Sequence, residues 1–179
     1  CSIEESGNGW YRGSATITKA GASGNDEIGL GLTRTDNNTG DNAVGDSVLI
    51  WGAQLEEGTT ATDYIPTTST ISGAPRFDHD PATGESLGLL IEESRTNNFT
   101  DSLFGSGWSV YNITKKSTNN PAPDGTNTAV LIGDATSSST NSFLQSAVNL
   151  VDGTLKTFTF YAKATTTGQS AFFDYLDGG

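Results

Sequence analysis

Apolar and polar residues alternate along most of the chain, which is the pattern of β-strands that bury one face and wet the other. Residues 10–18 follow this pattern and are predicted to form a strand. The side expected to face a core carries Tyr11, Ala15 and Ile17. The side expected to face water carries Trp10, Arg12, Ser14, Thr16 and Thr18.

The same alternation predicts further strands, and helical periodicity is nearly absent. Two of them are expected at residues 27–34 and 46–56, the second being the most hydrophobic strand of the chain. The later strands are expected at residues 108–116, 126–132, 143–148, 155–164 and 170–176. The predicted fold class is therefore all-β.

The middle of the chain predicts a connector with a hairpin. Residues 59–73 are rich in Thr and Ser and include Pro66, which disfavours a central strand. Residues 76–80 and 86–92 flank the turn Pro-Ala-Thr-Gly at 81–84. A proline early and a glycine late is the usual arrangement of such a turn.

Composition supports strands and tight turns, since the chain has 22 glycines and is rich in Ser, Thr, Asn and Asp. Methionine is absent.

The formal net charge is −12 and only nine residues are Lys or Arg. Binding to a nucleic-acid backbone needs clustered cations, so nucleic acid is excluded as a partner, and an anionic membrane surface is disfavoured. No apolar run is long enough to insert into a membrane. Neutral glycans, cations and other proteins remain as partners.

The chain opens at Cys1 without an initiator Met, and we expect it to be a fragment of a longer polypeptide. Cys1 is the single cysteine, so an internal disulfide is excluded.

Several motifs together resemble the jelly-roll modules of bacteriophage tail and structural proteins, which are similar to carbohydrate-binding modules. Gly-Trp-Tyr-Arg at 9–12, Val-Leu-Ile-Trp-Gly-Ala-Gln-Leu-Glu-Glu-Gly at 48–58 and Tyr-Ile-Pro-Thr at 64–67 resemble the C-terminal half of such a module. Trp-Ser at 108–109, Pro-Asp-Gly-Thr at 123–126 with Ala129, and Thr-Phe-Thr-Phe-Tyr-Ala-Lys-Ala at 157–164 resemble the N-terminal half. Residues 75–97 look like the hairpin that joins modules in phage fibre-like proteins.

The resemblance implies jelly-roll β-sandwich halves joined by a β-hairpin connector. Residues 1–66 are then the C-terminal half of one module, residues 67–97 the connector and residues 98–179 the N-terminal half of the next. A half sandwich leaves apolar faces and strand edges open. The two halves either close on each other or complete sandwiches with neighbouring copies, and the oligomeric nature of phage fibres favours the second solution.

The residue patterns of enzymes are missing from the sequence. His79, between Asp78 and Asp80, has no clustered partners for metal or acid–base chemistry. Adjacent carboxylates such as Glu56 and Glu57 point to opposite faces of a strand, so they cannot flank one glycosidic bond and are expected at solvated strand ends. The chain is predicted not to be an enzyme.

One loop is a candidate for a structural calcium ion. Its oxygen-bearing residues are those that Ca²⁺ prefers, although their spacing is not that of an EF-hand. A plain turn of the chain explains the same composition. The candidate ligands are Asp36, Asn38, Asp41 and Asp46.

Sugar contact requires an exposed aromatic face beside hydrogen-bonding groups. Trp10 with Arg12 is the first candidate, followed by Trp51, Trp108 and Tyr111. Packing in a core is the alternative for these aromatics and is stronger for Trp51, which has apolar neighbours.

The predicted function is that of a non-enzymatic structural and adhesive segment of a phage tail fibre or virion-surface protein that contacts host glycans. Its partners would be other copies of itself, as a trimer or another homo-oligomer, or other virion proteins. The expected location is the virion surface, the tail or the extracellular space. The alternative is a carbohydrate-binding module region of a secreted bacterial enzyme or adhesin.

Overall fold

A computed structural model describes residues 1–18, 26–34, 47–67, 77–79, 83–89, 96–134, 143–148, 150, 153–165 and 169–176. Their regular structure is entirely β, as predicted, and none of them forms a helix long and apolar enough to cross a membrane. The strands are β1 (Ser2–Glu5), β2 (Tyr11–Thr18), β3 (Asp26–Arg34), β4 (Ser47–Glu57), β5 (Phe77–His79), β6 (Ser86–Leu89), β7 (Ser109–Tyr111), β8 (Ile113–Asn120), β9 (Ala129–Asp134), β10 (Phe143–Val148), β11 (Leu155–Ala164) and β12 (Gln169–Leu176).

The strands form two large antiparallel sheets and one small one. The six-stranded sheet has the order β1-β2-β11-β4-β9-β8, and the four-stranded sheet has the order β12-β3-β10-β7. One apolar core joins the inner faces of the two large sheets, so the fold is a β-sandwich. Its fully buried members include Ile28, Leu30, Ile50, Leu55, Ile132, Leu144 and Phe158.

Both large sheets mix strands from before and after the hairpin. Strand β11 lies between β2 and β4, and β3 lies between β12 and β10. Residues 1–66 and 98–179 therefore close on each other, which is the first of the two solutions that the sequence left open. The β-sandwich is confirmed, while the jelly-roll connectivity stays a prediction.

The predicted hairpin is present. Strands β5 and β6 pair antiparallel, with Phe77 opposite Leu89 and Asp78 opposite Gly88. Gly84, at the end of the predicted turn, has a φ of +71°, a conformation that glycine adopts without strain. The turn chemistry of the sequence was sufficient to identify this element.

The single strand predicted at residues 108–116 is wrong. The chain forms β7 in the four-stranded sheet, turns at Asn112 and continues as β8 in the six-stranded sheet. Asn112 has a φ of +51°, which asparagine tolerates better than most residues. A single residue thus transfers the chain between sheets.

A β-bulge in β4 changes which side chains face the core. Trp51 is opposite Tyr161 and Gln54 is opposite Thr159, so Gly52 and Ala53 share one partner residue. Gly52 has a φ of +65°, as expected of the first residue of a glycine bulge. Because of the extra residue, Val48 and Ile50 before the bulge and Ala53 and Leu55 after it all join the same core.

Candidate functional site

Residues 59–67, here called the strap, cover part of the outer face of the six-stranded sheet, which is the face turned away from the four-stranded sheet. The strap is tied along its length. Thr16 Oγ1 donates to the Thr59 carbonyl oxygen at 3.3 Å, and Ile65 N donates to Gln54 Oε1 at 2.7 Å. At its far end, Thr67 Oγ1 lies 2.8 Å from Ser102 Oγ. Polar strand residues that alternation assigns to water are therefore beneath a second layer.

Glu56 is the centre of the hydrogen bonds under the strap and is fully buried. Its Oε1 accepts from Gln54 Nε2 and from Thr62 N, each at 2.8 Å, and its Oε2 accepts from Thr62 Oγ1 at 2.7 Å. Buried carboxylates need such partners because desolvation otherwise disfavours the charge. The expectation that Glu56 lies at a solvated strand end is wrong, since the strap covers it.

Asn97 links three segments with one side chain. Its Oδ1 accepts from Leu55 N at 3.0 Å and from Phe99 N at 3.1 Å. Its Nδ2 donates to the carbonyl oxygens of Ala53 at 3.0 Å and Ile65 at 3.1 Å. The amide thus uses its full hydrogen-bonding capacity to hold β4, the strap and residues 97–99 together.

Aromatic side chains form a second cluster under the strap. The Trp51 ring centroid lies 4.2 Å from that of Tyr64 and 5.3 Å from that of Tyr161. Trp51 Nε1 donates to Thr128 Oγ1 at 2.9 Å. Burial raises the pKa of both the Tyr64 and the Tyr161 hydroxyl above the usual value. The packing interpretation of Trp51 is therefore the observed one.

Trp10 belongs to the same cluster and is only 3 % exposed. As alternation predicts, Trp10 and Ala15 lie on different faces of the sheet. The expectation that this side is wet is wrong for Trp10, which belongs to a cluster that includes Tyr64 of the strap, and right for Thr16 and Thr18, which are exposed. Trp10 does not offer the exposed ring that the sugar-contact prediction required.

Trp108 is also buried, in the core between the sheets. It packs on Phe99 and Phe104 with ring centroids 5.1 and 4.7 Å apart, and its Nε1 donates to the Asp101 carbonyl oxygen at 2.8 Å. Tyr111 is 45 % exposed on β7, in the other sheet from Arg12. The structure does not bring the predicted glycan-contact residues together on one surface.

A small polar cavity lies beside the strap, between it and the outer face of β1 and β2. We call it the Arg12 groove. Its volume is about 220 Å³, and it is lined by Ser2, Glu4, Arg12, Ser14, Thr59, Thr60 and Ala61. Antiparallel pairing sets Glu4 directly opposite Arg12 and Ser2 opposite Ser14. Of the predicted glycan-contact residues, Arg12 is the one that lines it.

Arg12 is held in place on the groove wall. Its Nη2 donates to the Thr62 carbonyl oxygen of the strap, and its guanidinium lies over the Tyr161 ring at 5.5 Å from the centroid. Its Nε is buried and finds no acceptor among the described residues. Sequence reasoning missed several polar residues of the groove, because alternation within one strand does not show which segments meet. These residues are Ser2, Glu4, Thr59 and Thr60.

The predicted calcium ligands Asp36, Asn38, Asp41 and Asp46 lie outside the described residues, and so does the side chain of His79. Within the described part of the chain, no three His, Cys, Asp or Glu side chains come close enough to hold a metal ion.

Comparison of the chain with protein-family models, with curated protein sequences and with solved structures finds no match. The resemblance to phage modules therefore depends on the motifs named above, and the site is defined by its geometry.

Proposed function

We propose that the chain is a non-enzymatic structural and adhesive segment of a phage tail fibre or virion-surface protein. Its buried polar residues support a structural task. Both carboxylate oxygens of Glu56 and both ends of the Asn97 amide are engaged in holding backbone segments. These groups stabilise the strap and are closed to a substrate.

The observation that carries the assembly part of the proposal is the apolar surface at the β1 edge. All four residues of β1 are exposed, Ile3 to 76 %, and β1 is the last strand of its sheet. Tyr11 on the neighbouring strand is 49 % exposed.

An open strand edge with exposed apolar residues favours pairing with another chain. A fibre or virion surface supplies such a partner in the form of further copies or other virion proteins. The proposal is that the strand edge of β1 and its face with Ile3 are covered in the assembly, while the opposite face with Ser2 and Glu4 stays open. The resemblance suggests that the assembly is trimeric.

Light scattering after size exclusion tests this proposal. We expect a stable homo-oligomer, which Ile3→Lys dissociates because it places a charge in the contact. Thr118→Lys, the same charge change on the exposed face of edge strand β8, is the matched control and leaves the oligomer intact. A wild-type chain that stays monomeric up to about 100 μM, a concentration at which even micromolar contacts are occupied, contradicts assembly.

The alternative is a carbohydrate-binding module region of a secreted bacterial enzyme or adhesin. The Arg12 groove is the observation that favours it, since it presents side chains able to bind sugar hydroxyls. A monomer that binds oligosaccharides supports the alternative, and an oligomer without glycan binding supports the fibre segment. Turnover of a polysaccharide contradicts both, and we expect none.

A further inference from the structure

We infer that the Arg12 groove is a binding site for one neutral sugar residue. This inference deepens the adhesive part of the proposed function and rests on it. It also replaces the aromatic platform expected from the sequence with a polar site made by β1, β2 and the strap.

The walls of the groove are fixed before any ligand arrives. Ser2 Oγ and Ser14 Oγ are 2.8 Å apart across the two strands. On the other side, the buried Glu56 holds Thr62, and Thr62 in turn receives the Arg12 guanidinium. Because Arg12 is already ordered, binding does not have to restrict its long side chain, which lowers the entropic cost of association.

The groove offers both acceptors and donors, as a ring of hydroxyl groups requires. The Glu4 carboxylate accepts only, the Arg12 guanidinium donates only, and the Ser and Thr hydroxyls do either. Sugar hydroxyls do both, so one ring can bridge Glu4 and Arg12, which face each other across the strand pair. A carboxylate in the groove and a net charge of −12 disfavour an anionic sugar.

Size and lining limit the ligand and its affinity. The volume of about 220 Å³ lies below the range of roughly 300–1,000 Å³ that is typical of sites for larger ligands, so a single ring fits best. No aromatic side chain among the described residues lines the groove, and they provide no ring on which a sugar could stack. We expect a dissociation constant on the order of 1 mM for a free monosaccharide. An assembly that carries several copies of the groove binds a glycan surface more tightly than a single groove does, because several weak contacts form together.

The test is an NMR titration of the intact chain with the methyl glycosides of glucose, galactose, mannose and N-acetylglucosamine, each up to about 50 mM to reach a millimolar site. We expect at least one sugar to shift the amide signals of Ser2, Glu4, Ser14 and Thr60. Glu4→Gln, which keeps the shape and removes the charge, weakens binding about fivefold or more, the loss of one charge-assisted hydrogen bond. Glu5→Gln is the matched control, since Glu5 is exposed on the same strand and is not in the groove.

Three results overturn the inference: no shifts with any of the four sugars, shifts located elsewhere, or equal affinities for the Glu4→Gln and Glu5→Gln variants. Shifts around Tyr111 reject the groove but retain an adhesive function at another surface. The oligomeric state, measured on the same samples, tests the assembly proposal separately.

Discussion

The inner and outer faces of the six-stranded sheet are both buried along most of the central strands β4 and β11, but by different means. On the inner face, apolar side chains such as Phe158 meet the opposite sheet, and burial follows from alternation. On the outer face, Gln54 and Glu56 are buried by hydrogen bonds to each other and to the strap, which follows them in the chain. A polar strand position is therefore not evidence of exposure when another part of the chain supplies matching donors and acceptors.

The largest loss of stability is expected from a substitution in the core at the inner face. Phe158→Ala removes a fully buried ring that packs on Phe99 and Phe160 with centroids 5.6 Å away in both cases. We expect it to lower the free energy of unfolding by about 4 kcal/mol, from lost burial and the cavity left behind. Urea unfolding followed by tryptophan fluorescence measures the loss. A change below about 1 kcal/mol contradicts a close-packed inner core.

The next largest loss of stability is expected from a substitution under the strap, on the outer face. Glu56→Ala removes the acceptor of Thr62 N and leaves Thr62 Oγ1 and Gln54 Nε2 with longer contacts of 3.3 Å. Because buried unpaired groups are costly, we expect a loss of about 3 kcal/mol in the free energy of unfolding, together with faster amide hydrogen exchange in the strap.

The neighbouring Glu57→Ala is the matched control for Glu56→Ala. Glu57 is 69 % exposed in its side chain and pairs with Lys156 Nζ at 2.6 Å. Lys156 is only 4 % exposed, but Asn98 Oδ1 at 3.4 Å still accepts from its Nζ after the change, so the expected loss is about 1 kcal/mol. Similar losses for the two variants contradict the difference between an exposed carboxylate and one that holds the strap.

A smaller effect is expected at the β-bulge of β4, whose extra residue lets apolar side chains before and after it face the same core. Gly52→Ala forces a side chain to adopt a φ of +65° and places its Cβ 3.2 Å from the Tyr161 ring and 3.3 Å from the Tyr64 ring. We expect a loss of about 2 kcal/mol, from the left-handed conformation and the contact together. Thermal unfolding monitored by circular dichroism measures it.

Gly125→Ala separates the two causes of that loss. Gly125 has a φ of +82°, and an added Cβ there meets nothing within 4 Å. Only the conformational cost of about 1 kcal/mol applies. Equal losses at Gly52 and Gly125 indicate that the aromatic rings move aside and that the outer cluster is loosely packed.

The smallest effect is a pH dependence of the outer cluster. Burial raises the pKa of Tyr64 and Tyr161 above the ordinary value of 10.0, so above that pH the unfolded chain ionises first. The stabilisation is complete below about pH 10 and is lost as the pH rises towards the folded-state pKa. Melting temperatures between about pH 8 and 11 should fall at the alkaline end, and less steeply in Tyr64→Phe.

Lys115 opposes this trend. Burial lowers its pKa below 10.5, so the folded chain releases this proton before the unfolded chain does and gains stability between the two values.

If the melting temperature of the Tyr64→Phe variant falls with pH as steeply as that of the wild type, Tyr64 does not contribute to the alkaline loss of stability.

Local patterns were sufficient for some elements. The strand predicted at residues 155–164 is β11 with the same bounds. Strand β2 begins one residue later than predicted, and β4 begins and ends one residue later than predicted. The hairpin followed from its turn residues. These elements depend on alternation and on φ preferences that act within a few residues.

The candidate site was only partly predictable. Arg12 was a candidate and lines the groove, whereas Trp10 and Trp108, candidates for sugar contact with core packing as the alternative, are buried. The position of Gln54 and Glu56 in the most hydrophobic strand was a usable signal, since polar residues among apolar ones require partners. Nothing local indicated that Thr59 and Thr60 would meet Ser2 and Glu4.

By itself, the sequence determined the all-β class, most strands and the hairpin, because side-chain alternation and turn preferences are short-range properties. Only the tertiary structure decided that residues 1–66 and 98–179 interleave in both sheets, that Asn112 transfers the chain between sheets, and that the strap closes over the outer face. These outcomes depend on pairing between segments far apart in the chain, where the free energy of burial and of matched hydrogen bonds selects one arrangement among many that are locally equivalent.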